Sequence, residues 1–209
     1  MNLIERFNMA LAAQPIVAIL RGLRPEEALS VGEALVAAGV NILEVPLNSP
    51  TPLASIHILA KALAGRALVG AGTVLSREDV AAVAGAGGEL IISPNTDPDV
   101  IAATKLRGLV SLPGFFTPSE AFVALKAGAD ALKIFPGEMA SPAYVKAITA
   151  VLPKSARLLL VGGVSAGNIA SWKGSPVAGF GIGSSLYKPG MSAAEVGAQA
   201  RALIAAFKA

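Results

Sequence analysis

A chain of 209 residues, 54% hydrophobic and 15% charged, has apolar side chains for extensive burial and too few charges for disorder. Its net charge of +3, without any Lys/Arg run, excludes a polybasic nucleic-acid or membrane-surface protein and suits a small anionic metabolite. The absence of cysteine excludes disulfides, thiolate metal sites and a thiol nucleophile.

The opening stretch, MNLIERFNMALAAQP, carries Glu5 and Arg6 and lacks a long apolar core, so no secretory signal is expected. No apolar run reaches the ~18 residues of a membrane span, and a cytoplasmic protein is expected. From there the chain alternates. Apolar runs of strand length are IVAIL (16–20), NILEVPL (41–47), ALVGAG (67–72), ELIIS (89–93), GLVSLP (108–113), ALKIFP (131–136), RLLLVGG (157–163) and VAGFGIG (177–183).

Between the first two lies PEEALSVGEALVAAG (25–39), a predicted helix with Leu29, Gly32, Leu35 and Val36 on one face. Pro25 suits its first turn, Glu26 and Glu27 its dipole, and Gly39 the position past its end. Later segments open with SREDV (76–80), TDPDV (96–100), TPSEA (117–121) and SPAYV (141–145), each a capping residue followed by helix formers. The grammar repeats: LVAAGVNILEV (35–45) resembles ALKAGADALKIF (124–135). This makes eight strand-plus-helix units of roughly 26 residues behind a short first helix. Strands alternating with helices imply parallel pairing. Eight such units predict an α/β fold, a single (β/α)8 TIM barrel domain over residues 1–209. An open doubly wound sheet competes, but it usually has fewer strands, and IVAILRGL is not a GxGxxG turn.

Such barrels carry their active sites at the C-terminal ends of the strands. In ALKIFP, Ala131, Lys133 and Phe135 face one side and Leu132 and Ile134 the other. In NILEVPL, Ile42, Glu44 and Pro46 oppose Leu43, Val45 and Leu47. With the Leu/Ile/Val sets against the helices, Lys133 and Glu44 both point into the barrel. A charge there needs a partner or a job. One reading is structural: a Lys–Glu pair, or a lysine snorkelling to solvent. The other is a Schiff-base lysine with Glu44 moving protons, because an amine in a dry pocket loses its proton near neutral pH and attacks a carbonyl.

The stretches VGGVSAGN (161–168) and GIGSSLYKPG (181–190) put glycines after the last two strands. They serve tight turns, or let backbone N–H groups approach a phosphate. Arg21 follows the first run as a fixed charge suited to a carboxylate or to a surface ion pair. Thr73, in GAGTVLS, bonds substrate or starts a helix. The single histidine, His57, lies in the helical run SIHILAKAL and reads as structural. Trp172 and Tyr187 read as packing or rim residues. No cluster has metal-ligand spacing, and no metal or cofactor is expected.

The motifs IVAILRG (16–22), LEVPLNSP (43–50), GAGTVL (70–75), ISPN (92–95), PGFFTPSEA (113–121), ALKIFP (131–136), VGGVS (161–165) and GIGSSLY (181–187) occur in one order. In this the chain resembles, over nearly its full length, the 2-keto-3-deoxy-6-phosphogluconate aldolase family of class I aldolases. The resemblance implies a (β/α)8 barrel, usually a homotrimer, with no metal and a pyruvate Schiff base. It implies Lys133 as the Schiff-base lysine and Glu44 as the general acid/base. It implies Arg21, Thr73 and Pro94 at the pyruvyl end and Phe135 as the site aromatic. Gly162, Gly163, Gly183 and Ser184 become the phosphate cradle. Two positions depart from the gluconate-type pattern, which has arginine at Asn48 and threonine at Val161. There the chain is similar to the branch acting on the C4 epimer, 2-dehydro-3-deoxy-6-phosphogalactonate. Exchanging a hydroxyl-bearing side chain for an apolar one changes which C4 orientation is satisfied, worth about 1–3 kcal/mol. The gluconate epimer stays as the alternative, with a sugar-phosphate isomerase or epimerase that forms no imine as the more distant one.

Overall fold

The computed structural model describes residues 1–208. Its strands are β1 (Ile16–Ile19), β2 (Ile42–Pro46), β3 (Leu68–Gly72), β4 (Leu90–Ile92), β5 (Val110–Leu112), β6 (Gly114–Phe115), β7 (Leu132–Ile134), β8 (Leu158–Val161) and β9 (Gly179–Ile182). They form one sheet in the order β5-β4-β3-β2-β1-β9-β8-β7-β6, and every pairing is parallel. The two ends of that order, β5 and β6, are separated in the chain by Pro113 alone. The sheet is therefore a nearly closed barrel.

Each expected apolar run holds a strand, and the fifth continues past Pro113 as β6. Proline has no N–H to give to a ladder, so the strand is interrupted there. Its carbonyl still accepts from Lys133 N–H at 2.8 Å.

The helices are α1 (Leu3–Ala13), α2 (Pro25–Ala37), α3 (Pro52–Ala62), α4 (Arg77–Gly85), α5 (Pro98–Leu106), α6 (Pro118–Lys126), α7 (Pro142–Thr149) and α8 (Ala193–Lys208). The expected caps form: Ser76 accepts from Asp79 N–H, Thr117 from Glu120 N–H in a capping box, and Ser141 from Tyr144 N–H. In TDPDV the cap is Asp97, which accepts from Asp99 and Val100 N–H.

Two expectations need correction. The seventh unit has no α-helix, only a 3₁₀ turn over Ile169–Trp172. Asn168 explains this locally. Its side chain accepts from Ser165 N–H at 2.8 Å and donates to Gly163 C=O at 2.7 Å, offering the backbone an alternative to the helix. On α2 the buried residues are Ala28, Val31, Gly32 and Leu35, and Leu29 is 49% exposed. The helix turns its small residues inward because Gly32 packs against Leu59 and Leu63 of the next unit, where a Cβ would lie 2.4 Å from Leu59.

Alternation along the strands divides the core in two. Leu43, Val45, Leu132 and Ile134 belong to the cluster beneath the helices. Ile42, Leu68, Leu90, Val110, Ala131 and Leu159 fill the barrel together with Phe7 and Leu11 of α1. Helix α1 thus plugs the N-terminal end of the barrel, and Arg6 pairs with Glu89 at 2.6 Å to hold it there. The opposite end stays open. Among the described residues, no helix is long and apolar enough to cross a membrane.

Candidate active site

That open end holds a cavity of about 270 Å³. Of the twelve site residues read from the sequence, eleven line it, and Asn48 alone does not. The reason is topological. Parallel pairing puts all the C-terminal strand ends on one rim, and the period of two turns one face of each strand inward.

Lys133 is the middle residue of β7, flanked by Gly114 on β6 and Leu159 on β8. It is 7% exposed. Burial pushes its amine down from the ordinary lysine range, and Arg21 adds to this while Glu44 opposes it. Its Nζ lies 4.6 Å from the ring centroid of Phe135, two residues along and on the same face.

Glu44 sits at the centre of β2, 2% exposed. Its Oε2 is buried with no hydrogen-bond partner. Burial pushes its carboxyl up to about 7, against the pull of Lys133 and Arg21. The structural Lys–Glu pair of the alternative reading does not form: Lys133 and Glu44 line one cavity, while the ion pairs of the described residues lie elsewhere. A carboxyl near 7 beside an amine of lowered basicity is an acid–base couple poised for neutral pH.

The walls differ in chemistry. On one side stands Arg21, whose Nη1 donates to Asn48 Oδ1 at 2.6 Å. Asn48 therefore fixes the guanidinium rather than facing the cavity. Thr73 stands at the end of β3 with φ of 58°, a left-handed backbone that costs a threonine energy and gathers at functional sites. On the other side, Gly162 and Gly163 have φ of 113° and 69°, which glycine alone adopts easily. With Gly183 and Ser184 they expose backbone to the cavity.

Five lining residues were not among those read from the sequence, Ile19, Glu138, Val164, Gly181 and Ser185, and of these Glu138 alone carries a charge. Glu138, in the 3₁₀ turn Gly137–Met139 after β7, lines the glycine end. Its Oε2 is 2.3 Å from where a Cβ on Gly162 would sit. It lies five residues past Lys133, beyond the strand, where alternation no longer says which way a side chain points. His57 is exposed on α3 and does not line the cavity, so it is a surface residue rather than a structural one. Tyr187 is packed, with its hydroxyl 3.2 Å from Glu27 Oε2. Trp172 lines a neighbouring cavity behind Gly162 and Gly163. Among the described residues, no three His, Asp or Glu side chains gather as metal ligands.

Residues 7–201 match the family model described as "Aldolase: KDPG and KHG aldolase". The chain belongs to the KDPG and KHG aldolase family. Among its relatives, a probable 2-dehydro-3-deoxy-6-phosphogalactonate aldolase of Rhizobium meliloti (strain 1021) is 46% identical over 98% of this chain and 97% of its own. The 2-dehydro-3-deoxy-6-phosphogalactonate aldolase of Escherichia coli (strain K12) is 45% identical over 93% of this chain and 95% of its own. A solved structure titled "Native KDPGal structure" superposes with a TM-score of 0.90 at 45% identity, covering 93% of this chain and 94% of that one. The KDPG and KHG aldolase fold accounts for the placement of Lys133 and Glu44 on facing strands of one barrel.

Proposed function

We propose that this chain is a class I aldolase that cleaves 2-dehydro-3-deoxy-6-phosphogalactonate to pyruvate and D-glyceraldehyde 3-phosphate. One observation carries the reading. A buried lysine and a buried, unpartnered carboxyl share one cavity, with Arg21 on one wall and a glycine-lined end on another. The branch of the relatives named above supports the choice of substrate.

The neutral Lys133 amine attacks the C2 ketone, and the carbinolamine takes up a proton from solvent and loses water, giving a protonated imine. Glu44 takes the C4 hydroxyl proton. The C3–C4 bond breaks, its electron pair enters the imine, and glyceraldehyde 3-phosphate departs. The proton held by Glu44 returns to C3 of the enamine, and water hydrolyses the protonated imine to pyruvate and free amine, releasing the extra proton to solvent. Arg21, held by Asn48, pairs with the pyruvyl carboxylate, and Thr73 and Pro94 complete that end. The backbone of Gly162, Gly163 and Gly183, with Ser184, receives the phosphate, and Phe135 lines the path between. We further infer that the described residues form one TIM-like barrel domain of eight strand units, the fifth strand broken at Pro113 and the seventh followed by a 3₁₀ turn, acting in the cytoplasm as a homotrimer. The exposed apolar residues Leu106 on α5 and Phe122 and Val123 on α6 support assembly. A monomeric mass by light scattering would contradict it.

Pyruvate release from both C4 epimers, coupled to lactate dehydrogenase, tests the proposal. Higher kcat/KM for the galactonate epimer is expected, and no pyruvate from either epimer would overturn the reading. Val161 is buried against the cavity. Its replacement in Val161→Thr adds a hydroxyl and should move the epimer ratio toward the gluconate form by about 5–150-fold, the equivalent of 1–3 kcal/mol. An unchanged ratio would remove Val161 from the specificity account.

Glu138 places a carboxylate against the glycine end, where it opposes a phosphate dianion through partly exposed solvent. Glu138→Gln should lower KM for the phosphorylated substrate several-fold, and the gain should shrink with added salt. An unchanged or higher KM would show that the carboxylate does not face the phosphate.

A further inference from the structure

We infer that Gly72 is a positioning residue for Glu44, kept free of a side chain so that the carboxylate can occupy its working place. The inference rests on Glu44 being the proton carrier. Gly72 ends β3, beside Pro46 in the register with β2, and is buried. Its φ is not in the left-handed region, so its backbone conformation does not demand glycine. What excludes a side chain is the carboxylate. A Cβ on Gly72 would lie 1.6 Å from Glu44 Oε2, 2.4 Å from Cδ and 2.6 Å from Oε1, and these are its three nearest atoms.

Gly70, two residues back on the same face, shows the contrast. A Cβ there would lie 2.0 Å from the Leu90 carbonyl oxygen and 2.6 Å from its carbon. That clash is with backbone, and glycine at 70 serves strand packing. At 72 the obstacle is the end of one side chain. The recess left by the missing Cβ is what receives Oε2, which has no hydrogen bond to hold it. An alanine methyl would drive the carboxylate out by well over an ångström. A misplacement of about that size costs roughly 100-fold in a proton transfer, while imine formation at Lys133 across the cavity needs no such recess.

The experiment compares wild type, Glu44→Gln, Gly72→Ala, Glu44→Ala and the double variant Glu44→Ala/Gly72→Ala. Borohydride trapping of pyruvate after equilibration reads the imine. Exchange of the pyruvate methyl protons in D2O, followed by NMR, reads the proton carrier. Gly72→Ala should trap pyruvate as wild type does and lose exchange by about 100-fold. Any loss of Tm it causes should vanish once Glu44→Ala removes the carboxylate, a coupling that a purely structural glycine would not show. Exchange in Gly72→Ala within threefold of wild type overturns the inference. So does a Tm loss of the same size with and without Glu44. If Glu44→Gln itself exchanges like wild type, the role of Glu44 fails and the inference falls with it. Loss in Glu44→Gln with retention in Gly72→Ala sinks the inference alone.

Discussion

Lys133→Ala should abolish pyruvate release, and Lys133→Met should do the same while raising the melting temperature. The first result follows from covalent chemistry. Without the amine there is no imine and no electron sink for the C3–C4 pair, so turnover falls to background, by about four orders of magnitude or more. The second follows from burial. Lys133 is 7% exposed and forms no ion pair, so the folded state resists its charge. Its basicity is lowered from the ordinary lysine value of 10.5, so the folded chain binds the proton less well than the unfolded one. The penalty is therefore full below the lowered folded pKa and disappears as pH rises past the unfolded value. Methionine fills similar space without charge. Removing an unpaired polar group that burial already disfavours gains on the order of 1–3 kcal/mol, which in a chain of this size is roughly 2–8 °C. Thermal melts of the two proteins at pH 7 and pH 10 check this, with the gap narrowing at pH 10. A less stable Lys133→Met would mean that the lysine is structural after all.

Glu44→Gln should cut kcat by about 10²–10⁴-fold, the usual share of a general acid/base. It should also gain stability at pH 8 and not at pH 4. The carboxyl is held at about 7 in the folded chain against the ordinary glutamate value of 4.5. The folded state thus binds the proton more tightly, and wild-type stability falls as pH rises from about 4.5 to about 7. The accumulated cost above that window is on the order of 3 kcal/mol. Glutamine has the shape and no charge to bury, so its melting temperature matches wild type at pH 4 and exceeds it by several degrees at pH 8. The alkaline-rising limb of kcat/KM near 7 should disappear in the variant, since on the proposed mechanism the base form of Glu44 starts the bond cleavage. Equal stability of the two proteins at pH 8 would show that Glu44 is not charged in a dry site.

Most of the fold was legible because parallel strands covered on both sides read as apolar runs. Eight runs located eight of the nine strands, and β6 lies just past the end of the fifth run. What alternation settled, it settled well: the inward set of NILEVPL and ALKIFP placed Glu44 and Lys133 in one cavity before any contact was known. It failed where local chemistry overrode period. Asn168 took the backbone groups that a seventh-unit helix needed. Gly32 let α2 approach Leu59, turning Leu29 out. Off the strands the signal was weaker still. Asn48 was placed against substrate, yet its neighbour is Arg21, because a residue beyond a strand end has no fixed side. Glu138 was missed for the same reason. Gly72 was visible as part of GAGTVL, but a glycine's purpose depends on what occupies its empty side, and that is a fact of three dimensions.

The central claim is that Lys133 forms the imine. Its direct test is borohydride reduction of the enzyme with pyruvate, followed by peptide mass spectrometry. A carboxyethyl group on Lys133 is expected, with loss of activity in proportion to its occupancy and no adduct in Lys133→Ala. An adduct confined to another lysine, or none under conditions where wild type releases pyruvate from substrate, would contradict it.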